Sequence, residues 1–283
     1  MSISHCIRAV VLSTLFCVWT ASAATLVSPN LTGTWTGTAK GNDYHEQNGS
    51  MDTTPSVEKV SGTFNCTFTH IGDDLTVIAQ VQGGSDSFSM TLTGKAGDFA
   101  LWATGTNLTS DGITDQVFMS GHFAPKGDKL IGTMLFFHTG NFTNIAYTFK
   151  KSPGAALTRA ALVADIGAAA SRDNTDPPFN ITGKATGKFY NFGTNAKAGS
   201  YKATLTGNIA PVDHTATFNF ADGVGLSFTA TENDANKFLL FSGAGGSENI
   251  ILVGKSGNSS ATGTGWIYGA TRVVEFKFSI KKQ

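Results

Sequence analysis

The chain has 283 residues, and its 20 basic and 20 acidic side chains balance. With 14% of residues charged, no basic stripe and no acidic tail, a nucleic-acid partner has no electrostatic support. Abundant Gly and Thr, frequent Phe and few Leu-rich helical patterns exclude a mainly helical protein and indicate an all-β one.

Residues 1–23 read as an export signal. Arg8 is the one charge, an apolar run covers residues 9–19, and Ala21-Ser22-Ala23 offers the small residues a signal peptidase accepts, so Ala24 begins the mature chain. The run is short for a membrane span. A retained N-terminal anchor is the competing reading, and the small-residue cleavage site favours processing. Phe16 before Cys17 excludes lipoprotein processing. The expected location is therefore secreted or periplasmic, with no spanning segment left after signal removal. Cys6 and Cys17 leave with the signal, so Cys66 stays alone and no internal disulfide can form. In Thr63-Phe-Asn-Cys-Thr-Phe68 it reads as a partly buried, inert thiol.

Residues 24–151 form a first unit of short alternating runs. Phe64 and Phe68 share one face. Ile71-Gly-Asp-Asp74 turns into a strand at 75–81, and Gly83-Gly84 ends it. In Ser87-Phe-Ser-Met-Thr-Leu-Thr93 the alternation is strict. Further strands follow at 99–103, 116–123, 130–137 and 145–150, with turns at 95–98 and 125–128. Even spacing of this kind predicts an antiparallel meander that closes as a barrel or packs as a sandwich.

Residues 152–179 break the pattern. The stretch 155–167 is Ala-rich and reads as a short helix, and 168–178 reads as an extended linker ending in Pro177-Pro178. A second unit, 180–283, then repeats the first. Asn30-Leu-Thr-Gly-Thr-Trp-Thr-Gly37 returns as Asn180-Ile-Thr-Gly-Lys-Ala-Thr-Gly187, with Ala185 in place of Trp35. Tyr201-Lys-Ala-Thr-Leu205 matches Phe64-Asn-Cys-Thr-Phe68, and Phe238-Leu-Leu-Phe241 matches Phe99-Ala-Leu-Trp102. Gly263-Thr-Gly-Trp-Ile-Tyr268 matches Gly132-Thr-Met-Leu-Phe-Phe137, and Phe276-Lys-Phe-Ser-Ile-Lys-Lys282 matches Ile145-Ala-Tyr-Thr-Phe-Lys-Lys151. Serial self-similarity predicts two tandem, homologous β units, the second shortened by loss of the polar loop at 41–60.

Leu31-Thr-Gly-Thr-Trp35 resembles the Gly-x-Trp opening of the calycin barrels, which include lipocalins, fatty-acid-binding proteins and avidins. The resemblance covers about eight residues plus the meander, and no ligand-binding residue of those families maps onto this chain. It implies a small closed barrel, a Trp packed across one end, and a ligand pocket.

Chemistry is sparse. His45, His70, His122, His138 and His214 show no metal-ligand spacing, so no metal is expected. His138 after Phe136-Phe137 is the best placed to ligate a haem, but one His carries no site information, and the preferred reading is a strand-end surface His. Gly254-Lys-Ser256 lacks the upstream Gly of a phosphate loop, and no Gly-x-Ser-x-Gly elbow exists. Asp73-Asp74 near His70 is turn chemistry. Sequons begin at Asn30, Asn48, Asn65, Asn107, Asn141, Asn180 and Asn258. No cofactor or catalytic residue is assigned. The expected function is an exported non-catalytic binding protein holding a small apolar ligand in a barrel interior lined by Trp35, Phe88, Trp102, Phe136, Phe241 and Trp266. The alternative is a structural or surface-interaction protein with filled barrels, binding carbohydrate or protein through loops such as 41–60. A hydrolase or isomerase and a membrane barrel are weaker readings, the latter because the strands are short for a membrane span.

Overall fold

The computed structural model describes residues 31–45, 56–83, 86–108, 112–138, 141–152, 177–193, 196–232, 238–257 and 259–283. The expected signal at 1–23 and the Ala-rich stretch at 155–167 lie outside these residues.

The first eight strands are β1 (Gly33–His45), β2 (Ser56–Ile71), β3 (Asp74–Gly83), β4 (Asp86–Ala96), β5 (Ala100–Leu108), β6 (Thr114–Phe123), β7 (Lys129–His138) and β8 (Asn141–Lys151). Each pairs antiparallel with the next, and β8 returns to β1, closing a barrel. The second eight repeat the order: β9 (Phe179–Asn191), β10 (Lys197–Ala210), β11 (Thr215–Ala221), β12 (Leu226–Glu232), β13 (Phe238–Gly245), β14 (Glu248–Ser256), β15 (Ser260–Gly269) and β16 (Arg272–Lys282). They close through β16 and β9. The protein is all-β, with two tandem meander barrels rather than sandwiches. Closure leaves neither sheet an unpaired edge.

The two barrels share one geometry. In the first, register partners run from Gly33 through Phe68, Val77, Leu92, Gly105, Val117, Phe136 and Thr143 back to Asp43. In the second they run from Phe179 through Ile209, Ala216, Ala230, Gly243, Ile250, Ile267 and Val274 back to Phe189. Each circuit returns ten residues further along its first strand. Eight strands with that stagger tilt by roughly 40° to the barrel axis.

The repeated frame has a role in closure. A Cβ at Gly37 would fall on the Thr148 carbonyl and the Phe149 ring, and one at Gly187 on the Glu275 carbonyl and Phe276. In both barrels the second glycine of the frame lets the first strand lie against the last.

Inward side chains follow the alternation. Phe64, Phe68, Val77, Leu92, Met134 and Phe149 belong to the first interior, and Leu205, Phe218, Phe241, Ile250, Phe276 and Ile280 to the second. Each fully buried Phe contributes about 1.5–3 kcal/mol through burial. A third apolar cluster lies between the barrels, formed by outward residues of both. Phe118 packs on Trp266 at 5.6 Å and on Tyr268 at 4.7 Å, and Trp102 packs on Tyr268 at 5.0 Å. Trp102 Nε1 donates to the Gly269 carbonyl at 2.9 Å across this seam.

The seam corrects two expectations. Trp102 and Trp266 were expected inside the barrels, yet both point outward into the seam. The match of residues 238–241 to 99–102 is also one residue out of phase. Gly105 pairs with Val117 and Gly243 with Ile250, which sets Leu101 beside Leu239 rather than Leu240. Phe241 therefore faces inward while Trp102 faces outward. A one-residue slip moves a strand's side chains to the opposite face.

Candidate functional site

The first barrel has two unlike ends. At one, Trp35 and Leu31 are fully buried, and the Trp35 ring meets Phe68 edge-on at 5.9 Å. Trp35 Nε1 donates to the Leu31 carbonyl at 2.9 Å, so the indole is satisfied. Ala185 and Ala203 hold the places of Trp35 and its register partner Cys66 in the second barrel, where they face each other across β9 and β10.

The other end, which we term the mouth, gathers polar side chains on the inward face. Asp43 on β1, Asn107 on β5, Asp115 on β6 and Thr143 on β8 are all buried. They alternate in phase with Ala39, with Leu101 and Ala103, with Val117 and Met119, and with Ile145. Register brings Asp43 opposite Thr143 and Asn107 opposite Asp115. Thr143 Oγ1 donates to Asp43 Oδ1 at 2.6 Å.

His138, in phase with Met134 and Phe136 on β7, completes the group. Its Nδ1 lies 2.7 Å from Asp115 Oδ1, with side-chain exposures of 14% and 9%. This corrects the reading of a surface His. For Nδ1 to bond a carboxylate it must carry the proton. Nε2 is then an acceptor on the neutral ring, and it is buried without a partner. Below the polar group lie the rings of Phe88 and Phe136, edge to face at 6.1 Å.

The second barrel varies this arrangement. Glu248 lies six residues before Gly254, as Asp115 lies six before Gly121, and each glycine pairs with a glycine on the next strand. Where Asp115 meets His138, Glu248 takes a two-pronged bond from Arg272: Nε to Oε1 at 2.7 Å and Nη2 to Oε2 at 3.0 Å. That bond raises the guanidinium pKa. Tyr201 lies inward on β10, and burial first, then the nearby Asp222 carboxylate, pushes its phenol up.

Of the residues expected to line a ligand, Phe88 and Phe136 border the mouth. Trp35 lies at the opposite, closed end, and Phe241 sits deep in the second barrel against Phe218 at 5.1 Å. Sequence reasoning missed Asp43, Asn107, Asp115 and Thr143. Their signal was phase: each is a polar residue near a strand end, in step with the inward apolar residues.

The mouth offers hydrogen bonds and carboxylates but no assembled nucleophile. Thr143 is committed to Asp43, and His138 Nε2 meets no hydroxyl or thiol among the described residues. Burial pushes the Cys66 thiol far up and keeps it unreactive. Among the described residues no group of three or more His, Cys, Asp or Glu is placed to hold a metal ion. No helix among them is long and apolar enough to cross a membrane. Asn107 is buried, so its sequon is closed to glycosylation in the folded chain.

No protein-family profile matches the chain, and no curated protein is similar to it in sequence. Solved structures superpose loosely. One is a protein of unknown function from the DUF3598 family of Nostoc punctiforme, 8% identical over 89% of this chain and 96% of that one, with a TM-score of 0.29. Transferrin binding protein B from serogroup B Neisseria meningitidis is 9% identical over 89% and 77%, at 0.31. Its counterpart from Haemophilus parasuis is 9% identical over 88% and 76%, at 0.30. Superposition at this level carries neither family membership nor function.

Proposed function

We propose that the protein is an exported, non-catalytic binding protein whose first barrel takes a small ligand at its mouth. The ligand's apolar part rests on Phe88 and Phe136, and its polar head meets Asp115 and His138. The observation that carries this reading is the buried, unpartnered Nε2 of His138. An orphaned buried polar atom costs about 1–3 kcal/mol, and a ligand donor would relieve that cost. The barrel end closed by Trp35 leaves the opposite end as the entry. Export rests on the features of residues 1–23.

Thermal-shift and native mass-spectrometry screens with fatty acids, retinol, biotin and haem test it. A ligand at about one hundred times its Kd adds about 2.7 kcal/mol to stability. The shift is expected to vanish in Phe88→Ala and to shrink in His138→Phe. A shift unchanged in both variants, or none with any ligand, removes this reading.

The second reading, a surface-interaction protein with filled barrels, draws on the interior rings. Phe149 stacks on Tyr147 and packs at a tilt on Phe64, and in the second barrel Phe276 packs at a tilt on Tyr201 and edge-on against Phe220. In this reading recognition belongs to the outer surface.

A further inference from the structure

The balanced net charge conceals a segregation. Residues 33–151 carry seven Lys and Arg against eleven Asp and Glu, and residues 179–283 carry ten against six. The barrels are therefore charged −4 and +4, with His neutral. Much of the positive excess lies on one outer face. Thr186 on β9 is flanked along its strand by Lys184 and Lys188, and across it by Lys202 on β10 and Lys277 on β16. All five side chains are exposed. Sheet spacing puts the cross-strand lysines about 5 Å from Thr186 and the along-strand lysines about 7 Å away, measured along the backbone. The sequence shows no basic stripe because the four lysines come from three strands spanning more than ninety residues, and only sheet pairing brings them together.

Among the described residues nothing neutralises this square. The four lysines make no ion pair among the described residues. Glu275, opposite Lys188, reaches instead towards His122 of the first barrel at 4.0 Å. Ser200, Thr204 and Ser279 surround the square with exposed hydroxyls. The first barrel has no counterpart: Thr36, which holds the place of Thr186 in the repeated frame, has Thr34 and Thr38 along its strand and Asn65 and Lys150 across.

We propose that the Lys184–Lys188–Lys202–Lys277 face of the second barrel is a docking surface for a sulfated or phosphorylated polysaccharide. Charge complementarity calls for clustered anionic groups, and the ring of hydroxyls can donate to sulfate or phosphate oxygens. Among the described residues the face carries no exposed apolar side chain to enter a bilayer and no exposed aromatic ring on which a base could stack. This inference does not depend on the ligand reading for the first barrel.

Dextran sulfate serves as the probe, with uncharged dextran, phosphatidylglycerol vesicles and duplex DNA as comparison arms. Dextran sulfate is expected to bind and to weaken on the order of a hundredfold between about 50 and about 200 mM salt, as counterion release at four contacts implies. The variant K184Q/K188Q/K202Q/K277Q is expected to lose at least about tenfold, and the four Lys→Arg changes to retain binding. A matched variant of the first barrel, K40Q/K59Q/K126Q/K150Q, removes the same charge and is expected to bind as wild type. Thr186→Glu, which sets a carboxylate at the centre of the square, is expected to weaken binding without removing a lysine. Equal losses in both quadruple variants, tighter binding to vesicles or DNA than to dextran sulfate, or no binding at low salt would overturn the proposal.

Discussion

His138 presents Nδ1 to Asp115 at 2.7 Å and leaves Nε2 buried with no partner. The pair joins β6 to β7 at the one end of the first barrel that no indole closes. Removing the ring strands a buried carboxylate, which is the costly half of a lost pair. His138→Ala is therefore expected to destabilise the first barrel by about 1–3 kcal/mol, and Asp115→Asn by less. The double variant should cost less than the two single losses added together, since the pair acts as a unit. Urea denaturation of the three variants measures this. Strict additivity would mean that the two side chains do not cooperate.

Two glycines opposite each other should respond differently to alanine. A Cβ at Gly121 would meet mainly the Tyr147 hydroxyl, which donates to the Ser120 carbonyl at 3.1 Å. A Cβ at Gly132 would strike the Ser120 carbonyl and the Gly121 backbone as well. Both substitutions are expected to cost about 1–3 kcal/mol as overpacking. Tyr147→Phe should rescue Gly121→Ala and leave Gly132→Ala largely unrescued. Phe278 already stands where the second barrel has the matching pair, Gly254 and Gly263. Melting temperatures of the single and double variants decide it.

The seam makes a prediction about cooperativity. Phe118, Trp102, Trp266 and Tyr268 pack the barrels into one body. Wild type is expected to unfold in a single calorimetric transition. Phe118→Ala with Trp266→Ala, each worth about 3–5 kcal/mol if the cavity does not collapse, should split it into two. Trp102→Phe alone removes the bond to Gly269 and should cost about 1 kcal/mol. Two transitions already present in wild type would show the barrels to be independent.

Alkaline pH should unfold the protein through its buried phenols. Burial pushes Tyr268 up to about 12 and drives Tyr147 and Tyr201 up as well. In the unfolded chain a phenol ionises near pH 10, so above that pH the unfolded state holds fewer protons than the folded one. Stability is then full below about pH 10 and falls as pH rises towards 12. Ultraviolet titration should show these tyrosines ionising only as the far-ultraviolet circular dichroism is lost, and Tyr268→Phe should flatten the decline. Full tyrosinate absorbance in the folded protein below pH 11 would contradict it.

Strand positions, turns and the twofold order were legible because alternation and Gly-Asp turns are local signals. The repeated Thr-Gly-x-x-Thr-Gly frame marked the first strand of each barrel, and its second glycine proves to serve closure. The facing of Trp102 and Trp266 was not legible. Strands β6, β7, β14 and β15 carry runs of four or more buried residues, because one face fills a barrel and the other fills the seam. A strand buried on both sides loses the alternation that reports which way a side chain points. Asp115 with His138, and the four lysines around Thr186, were likewise hidden. Their charges attract over a few ångströms, while their positions in the chain lie tens of residues apart. Composition and periodicity determined an all-β protein built twice over. Only barrel closure and its register decided which polar groups share the mouth and which charges share a face.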